Sequence, residues 1–331
     1  MRANIKDVSK AAGVSIKTVS RVINNERYVR PATRARVEEA MAALGFQPSQ
    51  AARALAGGKS FQIALVCSNP GPYYLHGLIA GLRGRCAAEG VRLIVHAYEV
   101  EADELGADVL TFFRQMGFDG AILTPPIVDN EPVLDELDRA GTPYVRISPG
   151  VQPERSASVA IDNEGAARAM TRRLIALGHR RIGFVVGHRS FAVSNQRLSG
   201  YLDALREAGI PLDLSLVQQG WFDFRSGQAA AEELLALPDA PTAIFASSDD
   251  MAAGMLSVAH QRRIRVPDQL SIAGFDDTDL AKLVWPPLTT MRQPIRAMAE
   301  RAAELLFSGT AEQVVLQSEL IERASTAPRW S

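Results

Sequence analysis

The chain has 331 residues, 47% of them hydrophobic and 22% charged, with a formal net charge of −1. That length and polarity suit a small domain joined to a body of two core-forming lobes, and no apolar run approaches the length of a membrane span. The near-zero total conceals an asymmetry: residues 1–60 hold eleven Lys or Arg against four acids, so a head of +7 precedes a body of −8. A basic head of this kind is the electrostatic footprint expected of a segment that meets a polyanion. The polar N-terminus does not read as a signal peptide, and Cys67 and Cys86 lie far from any metal-ligand spacing. Buried thiols in a reducing cytoplasm are expected.

Residues 7–24 hold the first predicted elements. Val8, Ala11 and Ala12 form an apolar stripe at helical spacing and Val19, Val22 and Ile23 form the next, so two short helices can bury each other across a tight turn. Gly13 supplies permissive backbone for the turn, and Ser15 is a good N-cap for the second helix. Ile16, Lys17, Ser20, Arg21 and Asn24 then share that helix's outer face. Lys17 and Arg21, one turn apart, can offer donors to guanine edges in a major groove, with Ser15, Thr18, Ser20 and Asn24 placed for phosphates. Taken alone, the turn fits equally an ordinary amphipathic pair with a solvated basic face; the charge asymmetry favours DNA.

A third helix is predicted over 32–44, with Pro31 in its first turn and Gly45 at its end, and with Val37, Met41 and Leu44 closing a three-helix core. Residues 48–58 are helix-prone for only about two turns before Gly57-Gly58, too short to be stable without a partner.

Asp7-Val8-Ser9, Ala12-Gly13-Val14-Ser15 and Thr18-Val19-Ser20-Arg21-Val22 make residues 4–58 resemble the DNA-binding head and hinge helix of the lactose/galactose repressor (LacI/GalR) family, with Ser9 for the family's usual Ala. The resemblance implies that Ile16, Lys17 and Arg21 read bases. It also implies a minor-groove hinge at Ala52 and Leu55, with Leu55 wedged between base pairs. The competing reading of Leu55 is a side chain packed on the core below it.

From Gln62 onward short apolar runs alternate with amphipathic stretches. Strands are predicted over 63–67, 91–97, 120–123 and 144–147, with helices over 74–89, 103–116 and 131–140. The rhythm then repeats, with strands near 182–186, 214–218, 243–246 and 270–274 and helices near 163–177, 196–208, 226–237 and 251–262. This alternation belongs to parallel sheets covered on both faces. The predicted fold is a small all-α helix-turn-helix head followed by an α/β body of two doubly wound parallel-sheet lobes. A ligand is expected in the cleft between them, where strand carboxyl ends converge.

Asp162-Asn163, Leu177-Gly178-His179-Arg180-Arg181-Ile182, Arg197-Leu198-Ser199-Gly200-Tyr201, Asp249-Asp250-Met251-Ala252, Gly274-Phe275-Asp276-Asp277 and Pro287-Leu288-Thr289-Thr290 carry the resemblance nearly to the end of the chain. They imply a periplasmic-binding-protein-like body whose chain crosses between lobes near Ile161, Met291 and Leu320. The implied domains are a head at 1–47, a hinge and linker at 48–60, an effector-binding lobe 1 at 61–161 plus 292–320, and a lobe 2 at 162–291 plus 321–331.

Arg197 and Asp276 match the family's effector-contacting positions, and an arginine fork opposite a carboxylate suits the vicinal hydroxyls of a sugar. By spacing alone the two fit a structural salt bridge or a helix cap. Phe222 lies where the family places a covering aromatic, and Tyr73, Tyr74, Trp221, Phe224 and Trp285 are candidate neighbours in a stacking platform. Ser248 replaces the family's common Asn, which leaves that contact and the identity of the sugar open.

Catalytic readings fare worse. Asp249-Asp250 and Asp276-Asp277 could suggest glycoside hydrolysis, but adjacent acids point apart and acids at a helix start act as caps. The five histidines, His76, His96, His179, His188 and His260, show no ligand pairing, and Gly77, Gly81 and Gly84 fall at helical spacing rather than in a phosphate loop. No enzymatic activity, cofactor or metal is expected. The sequence reads as a transcriptional repressor with three partners: double-stranded, near-palindromic operator DNA, a small-molecule effector of the sugar class, and a second copy of the chain in a homodimer. No leucine heptad pattern is read near Ser331, so tetramers built on such a tail are not expected, and neither is a membrane partner. The effector is expected to alter lobe closure and thereby the spacing of the two hinges. The competing reading is a sugar-binding or sugar-processing α/β protein with an incidental helical head.

Overall fold

A computed structural model describes residues 3–23, 28–46, 59–68, 71–98 and 105–329. Three helices, α1 (Ile5–Ala12), α2 (Ile16–Ile23) and α3 (Pro31–Ala43), enclose Val8, Ala12, Val19, Val22, Val37 and Ala40. Local chemistry sets the turn between the first two. Asn4 and Asp7 form a reciprocal capping box on α1, and Gly13 takes φ 63° at its carboxyl end. Ser15 Oγ accepts the Thr18 N–H at 3.1 Å ahead of α2. Leu44 departs from expectation, standing 39% exposed outside the core. The chain reverses at Gly45, and Phe46 packs on the head core in its place, its N–H donating to Met41 O at 2.9 Å.

The body is built on two six-stranded sheets. The first contains β1 (Gln62–Ser68), β2 (Arg92–Tyr98), β3 (Gly120–Leu123), β4 (Tyr144–Ile147), β5 (Ala157–Ile161) and β11 (Gln313–Leu316) in the order β11-β5-β4-β3-β1-β2, all parallel. The second contains β6 (Ile182–Val186), β7 (Val217–Gln219), β8 (Ala243–Ala246), β9 (Ser271–Asp276), β10 (Thr289–Arg292) and β12 (Glu319–Ile321) in the order β12-β10-β9-β8-β6-β7. Only β12 runs antiparallel. The central strands are buried along nearly their whole length, as two-sided cover by helices requires.

Helices α4 (Pro72–Ala88), α5 (Leu105–Met116) and α6 (Glu131–Ala140) alternate with the first sheet's strands, and α7 (Asn163–Ala176), α8 (Ala192–Glu207), α9 (Phe224–Leu235), α10 (Asp249–Gln261) and the single turn α11 (Leu280–Leu283) with the second's. The last helix, α12 (Ile295–Ser308), returns to the first sheet, where Leu306 packs against Gly120. It lies so close to α4 that a β-carbon at Gly81 would sit 2.4 Å from Arg296 O, which gives that glycine a packing role. The chain therefore passes between sheets after Ile161, after Arg292 and between Leu316 and Glu319. Leu320 pairs with Met291 and belongs to the second sheet.

The strand expected over 214–218 is mostly something else. Residues Leu214–Leu216 form a 3₁₀ turn because the Asp213 carboxylate accepts the Ser215 N–H at 3.0 Å, and only Val217–Gln219 pair as strand. Both cysteines are buried, and burial pushes the Cys67 thiol up to about 11.

One hydrophobic cluster runs from Ile63 and Leu65 through Ala166 and Met170 to Phe184 and Phe245. Phe184 is fully buried, stacked on Tyr201 at 4.8 Å and meeting Phe245 edge-on at 5.3 Å. Phe184→Ala is expected to destabilise the body by about 3–5 kcal/mol through lost burial and a residual cavity. Urea unfolding followed by far-UV circular dichroism checks this, and an unchanged midpoint would contradict the packing role.

Candidate functional site

Two surfaces concentrate polar chemistry. On the head, Ile16, Lys17 and Arg21 all lie on the exposed face of α2, with Ile16 at 44%. Ser15 is exposed, but its hydroxyl is committed to the Thr18 N–H and lies 2.9 Å from Thr18 Oγ1. Thr18 and Ser20 are half-buried. The buried side of α2 is Val19 and Val22, so the amphipathic spacing alone aims Lys17 and Arg21 outward. Asn24, Ala52 and Leu55, together with the predicted helix over 48–58, lie outside the described residues.

The second surface is a cavity between the two sheets, walled by residues at the carboxyl ends of their strands. Ser68 follows from β1, Thr124 and Pro125 from β3, Ser148 from β4, Trp221 and Phe222 from β7, Ser248 from β8, Asp276 from β9 and Gln293 from β10. Tyr74 reaches it from α4 and Arg197 from α8. Open parallel sheets place their variable loops at that edge, so both lobes contribute.

Arg197 is 4% exposed and bonded on several sides. Its Nε donates to Asn163 Oδ1 at 3.0 Å and its Nη1 to Ser247 O at 2.6 Å, while the guanidinium lies 3.6 Å over the Phe275 ring. Asp276 Oδ1 stands 3.9 Å away and takes its hydrogen bond from Gln293 Nε2 at 2.5 Å. Burial pushes the Asp276 carboxyl up to about 7 against the opposing pull of Arg197 and Gln293. Asp276 and Phe222 hold φ of 112° and 66°, which such residues adopt only where surrounding structure compels them, and Asp277 holds 52°, in the left-handed region that Asp tolerates. The Phe222 ring lies over Gly187, where a β-carbon would come within 1.9 Å of its edge, so no larger residue fits beneath it.

Of the aromatics anticipated for the cleft, Tyr74, Trp221 and Phe222 line it, whereas Tyr73, Phe224 and Trp285 do not. Tyr73 adjoins Tyr74 on α4 but lies about 100° further round the helix, in a separate cavity with His76 and Lys282. Phe224 is 41% exposed at the start of α9, and Trp285 stands 87% exposed on the loop after α11.

The acids anticipated as helix caps also need correction. Ser248 fills the N-cap of α10, accepting the Met251 N–H at 3.2 Å. Asp249 is fully buried and accepts from the Thr278 N–H at 2.8 Å, Thr278 Oγ1 at 3.1 Å and Thr290 Oγ1 at 2.6 Å. Burial and the neighbouring Asp276 charge hold its carboxyl well above the ordinary range. Asp250 faces the cavity, its carboxyl pushed up to about 6 by burial. Sequence reasoning missed Asp250, His188, Phe191 and Gln293 as lining residues; each follows a strand end, the one signal that could have flagged them.

Residues 4–49 match the family described as "Bacterial regulatory proteins, lacI family", and residues 171–326 match "Periplasmic binding protein-like domain". The chain is 35% identical over 336 residues to the HTH-type transcriptional regulator DegA of Bacillus subtilis (strain 168), covering 99% of each. It is 34% identical to the solved structure of a transcriptional regulator CelR-cellobiose complex, with a TM-score of 0.73 over 98% of this chain and 100% of that one. Against the crystal structure of the Lac repressor dimer bound to operator and the anti-inducer ONPF the TM-score is 0.85 at 26% identity, covering 99% of this chain and 100% of that one.

The Asp250 carboxyl sets a testable pH dependence. Because its pKa rises from 3.8 to about 6 on folding, the folded chain keeps a proton the unfolded chain has lost, and the stability this confers disappears as pH rises across that window. The melting temperature of the native chain, relative to that of Asp250→Asn, is expected to fall between pH 4 and 7. A difference that stays flat with pH in differential scanning fluorimetry would contradict it.

Proposed function

The chain belongs to the lacI family of bacterial regulatory proteins, and on that premise we propose that it is a sequence-specific transcriptional repressor whose operator affinity is set by a sugar-class effector in the inter-lobe cleft. The observation that carries this reading is the presence in one chain of an exposed basic helix face and a polar, aromatic-walled cavity contributed by two lobes. Lys17 and Arg21 supply donors for base edges, Ile16 an apolar contact, and Ser15, Thr18, Ser20 and Asn24 the phosphate contacts. Two copies place their heads in successive major grooves of a near-palindromic site, with Ala52 and Leu55 of the paired hinges in the central minor groove. Such a protein works in the cytoplasm, where its DNA is, and performs no catalysis.

In the cleft, Arg197 and Asp276 address hydroxyl pairs, one as donor and one as acceptor. Phe222, Tyr74 and Trp221 offer ring faces to the apolar side of a sugar, and Ser248, the buried N-cap of α10, lines the cleft beside them. The effector shifts DNA affinity only by its differential affinity for the closed and open lobe arrangements.

Binding-site selection with the full-length protein tests the reading. Arg21→Ala is expected to weaken specific binding by roughly 1–3 kcal/mol and to relax preference at one base pair of each half-site. Specific binding should fall steeply with salt, as phosphate neutralisation demands. An unchanged preference would remove Arg21 from base reading, and DNA binding that ignores salt would sink the regulator reading itself.

A further inference from the structure

Hydrogen-bonding capacity in the cleft is unevenly distributed. Part of its donor capacity is committed: Arg197 Nε to Asn163 and Nη1 to Ser247, which leaves Nη2 to a ligand, Gln293 Nε2 to Asp276, the Ser68 hydroxyl to Pro125 O and the Thr124 hydroxyl to Val66 O. Its strongest acceptors are not. Among the described residues no other side chain donates to Asp250, and Asp276 keeps its second oxygen without a donor. Arg197 is the one Lys or Arg side chain among the lining residues, which include two carboxylates, Asp250 and Asp276; the exposed Arg189 lies 5.0 Å from the Trp221 ring.

A third acid, Asp223 at the N-cap of α9, adds its charge to the field on Asp250. Opposite Asp250, across the lobes, the Gly71 backbone at the start of α4 lies so near that a β-carbon there would come within 2.5 Å of Asp250 Oδ2. A ligand group that reaches Asp250 therefore sits between the lobes. The remaining wall is aromatic, with Trp221 edge-on to His188 at 4.9 Å and Phe222 against Phe191 at 5.4 Å.

We infer that the effector is a hydroxyl-bearing amine, an amino sugar in its protonated form, whose ammonium group is received by Asp250 while Arg197 and Asp276 hold its hydroxyls. This rests on the proposed effector cleft and sharpens it. Two carboxylates closed into a low-dielectric space beside one guanidinium leave a negative charge that must take up either a proton or a cation. Burial raises both carboxyls, Asp250 to about 6 and Asp276 to about 7, which marks how poorly their charges are compensated and what an ammonium there would offset.

The test uses the full-length protein near neutral pH, with glucosamine and galactosamine each compared with its neutral parent, glucose or galactose, and with its N-acetyl derivative. Thermal shift and calorimetric titration are expected to rank an amine at least about tenfold tighter than both neutral forms, since each factor of ten needs only 1.4 kcal/mol. Asp250→Asn should erase that margin, and Asp250→Glu, which retains the charge, should keep it. Ligand-free melting in the same scans checks that each variant is folded. Neutral sugars that bind as well as amines, a margin that survives in Asp250→Asn, or no binding by any amine would each overturn the inference. Operator binding by the same preparation, followed by fluorescence anisotropy, fails only if the regulator reading fails, so the two outcomes separate.

Discussion

Arg197 brings a permanent charge into a place that is almost dry, and much of the second lobe is arranged to keep it satisfied. A buried guanidinium deprived of a partner costs several kcal/mol, so the elements that supply its partners are held in place by that need. Asn163 begins α7 just after the first crossing between sheets, Ser247 ends β8, and Phe275 and Asp276 end β9. One side chain thus ties the crossing to two adjacent strand ends. Because Asp276 sits 3.9 Å from that guanidinium and leans on Gln293, the carboxylate is oriented without being fully consumed.

Around this node each pair of adjacent acids divides its labour. Asp276 turns into the cleft while Asp277, one residue on, meets Arg292 at 2.7 Å and Arg323 at 2.5 Å. The positive φ values at both residues are the backbone expression of that divergence. Asp249 likewise turns inward to Thr278 and Thr290, joining α10 to β10, and leaves Asp250 to face the cavity. One acid of each pair organises the scaffold and the other addresses the ligand space. Within each pair the two carboxylates point to different places, so the two that share the cavity, Asp250 and Asp276, come from different strand ends.

The alternation of apolar runs and amphipathic stretches made the parallel strands legible, and the strands over 120–123, 144–147, 182–186 and 243–246 coincide with those observed. Those strands are buried on both faces, so their sequences are uninterrupted and unambiguous. The strands Ala157–Ile161, Thr289–Arg292, Gln313–Leu316 and Glu319–Ile321 were not legible as such, being three to five residues long and close to crossings between sheets. Edge strands such as Gln313–Leu316 alternate exposed with half-buried positions and carry little apolar signal.

In the site, Arg197, Asp276 and Phe222 were found through family resemblance, since spacing alone fitted Arg197 and Asp276 to a salt bridge or a cap, while Tyr74 and Trp221 were legible only as aromatics near strand-to-helix junctions. Trp285 was not resolved from them because aromatic character says nothing about which way a loop faces. Asp250 was hidden because an acid in the first turn of a helix suits the helix dipole whether or not it also lines a cavity.

The linker from the head joins the body at the end of β1 opposite the cleft. The Ser60 and Phe61 N–H groups donate to the two Asp119 carboxylate oxygens at 2.8 and 2.7 Å, clamping the chain just before it enters the sheet. The other end of the same strand supplies Ser68 to the cavity wall. Seven residues of strand, about 20 Å at 3.3 Å per residue, separate the two, paired to β2 throughout and to β3 over Ile63–Val66. A strand held on both sides by parallel neighbours transmits displacement as part of a rigid lobe, not by local rearrangement. On the proposed reading, a ligand in the cleft therefore reaches the DNA-binding head by rotating the first lobe as a body against the second, with the three crossings as the pivots. The inter-lobe contacts at Gly71 and Asp250 and at Gly150 and Ala192 lie where such a rotation would open or close the cleft, so the ligand's hold on those lips decides which orientation the linker receives.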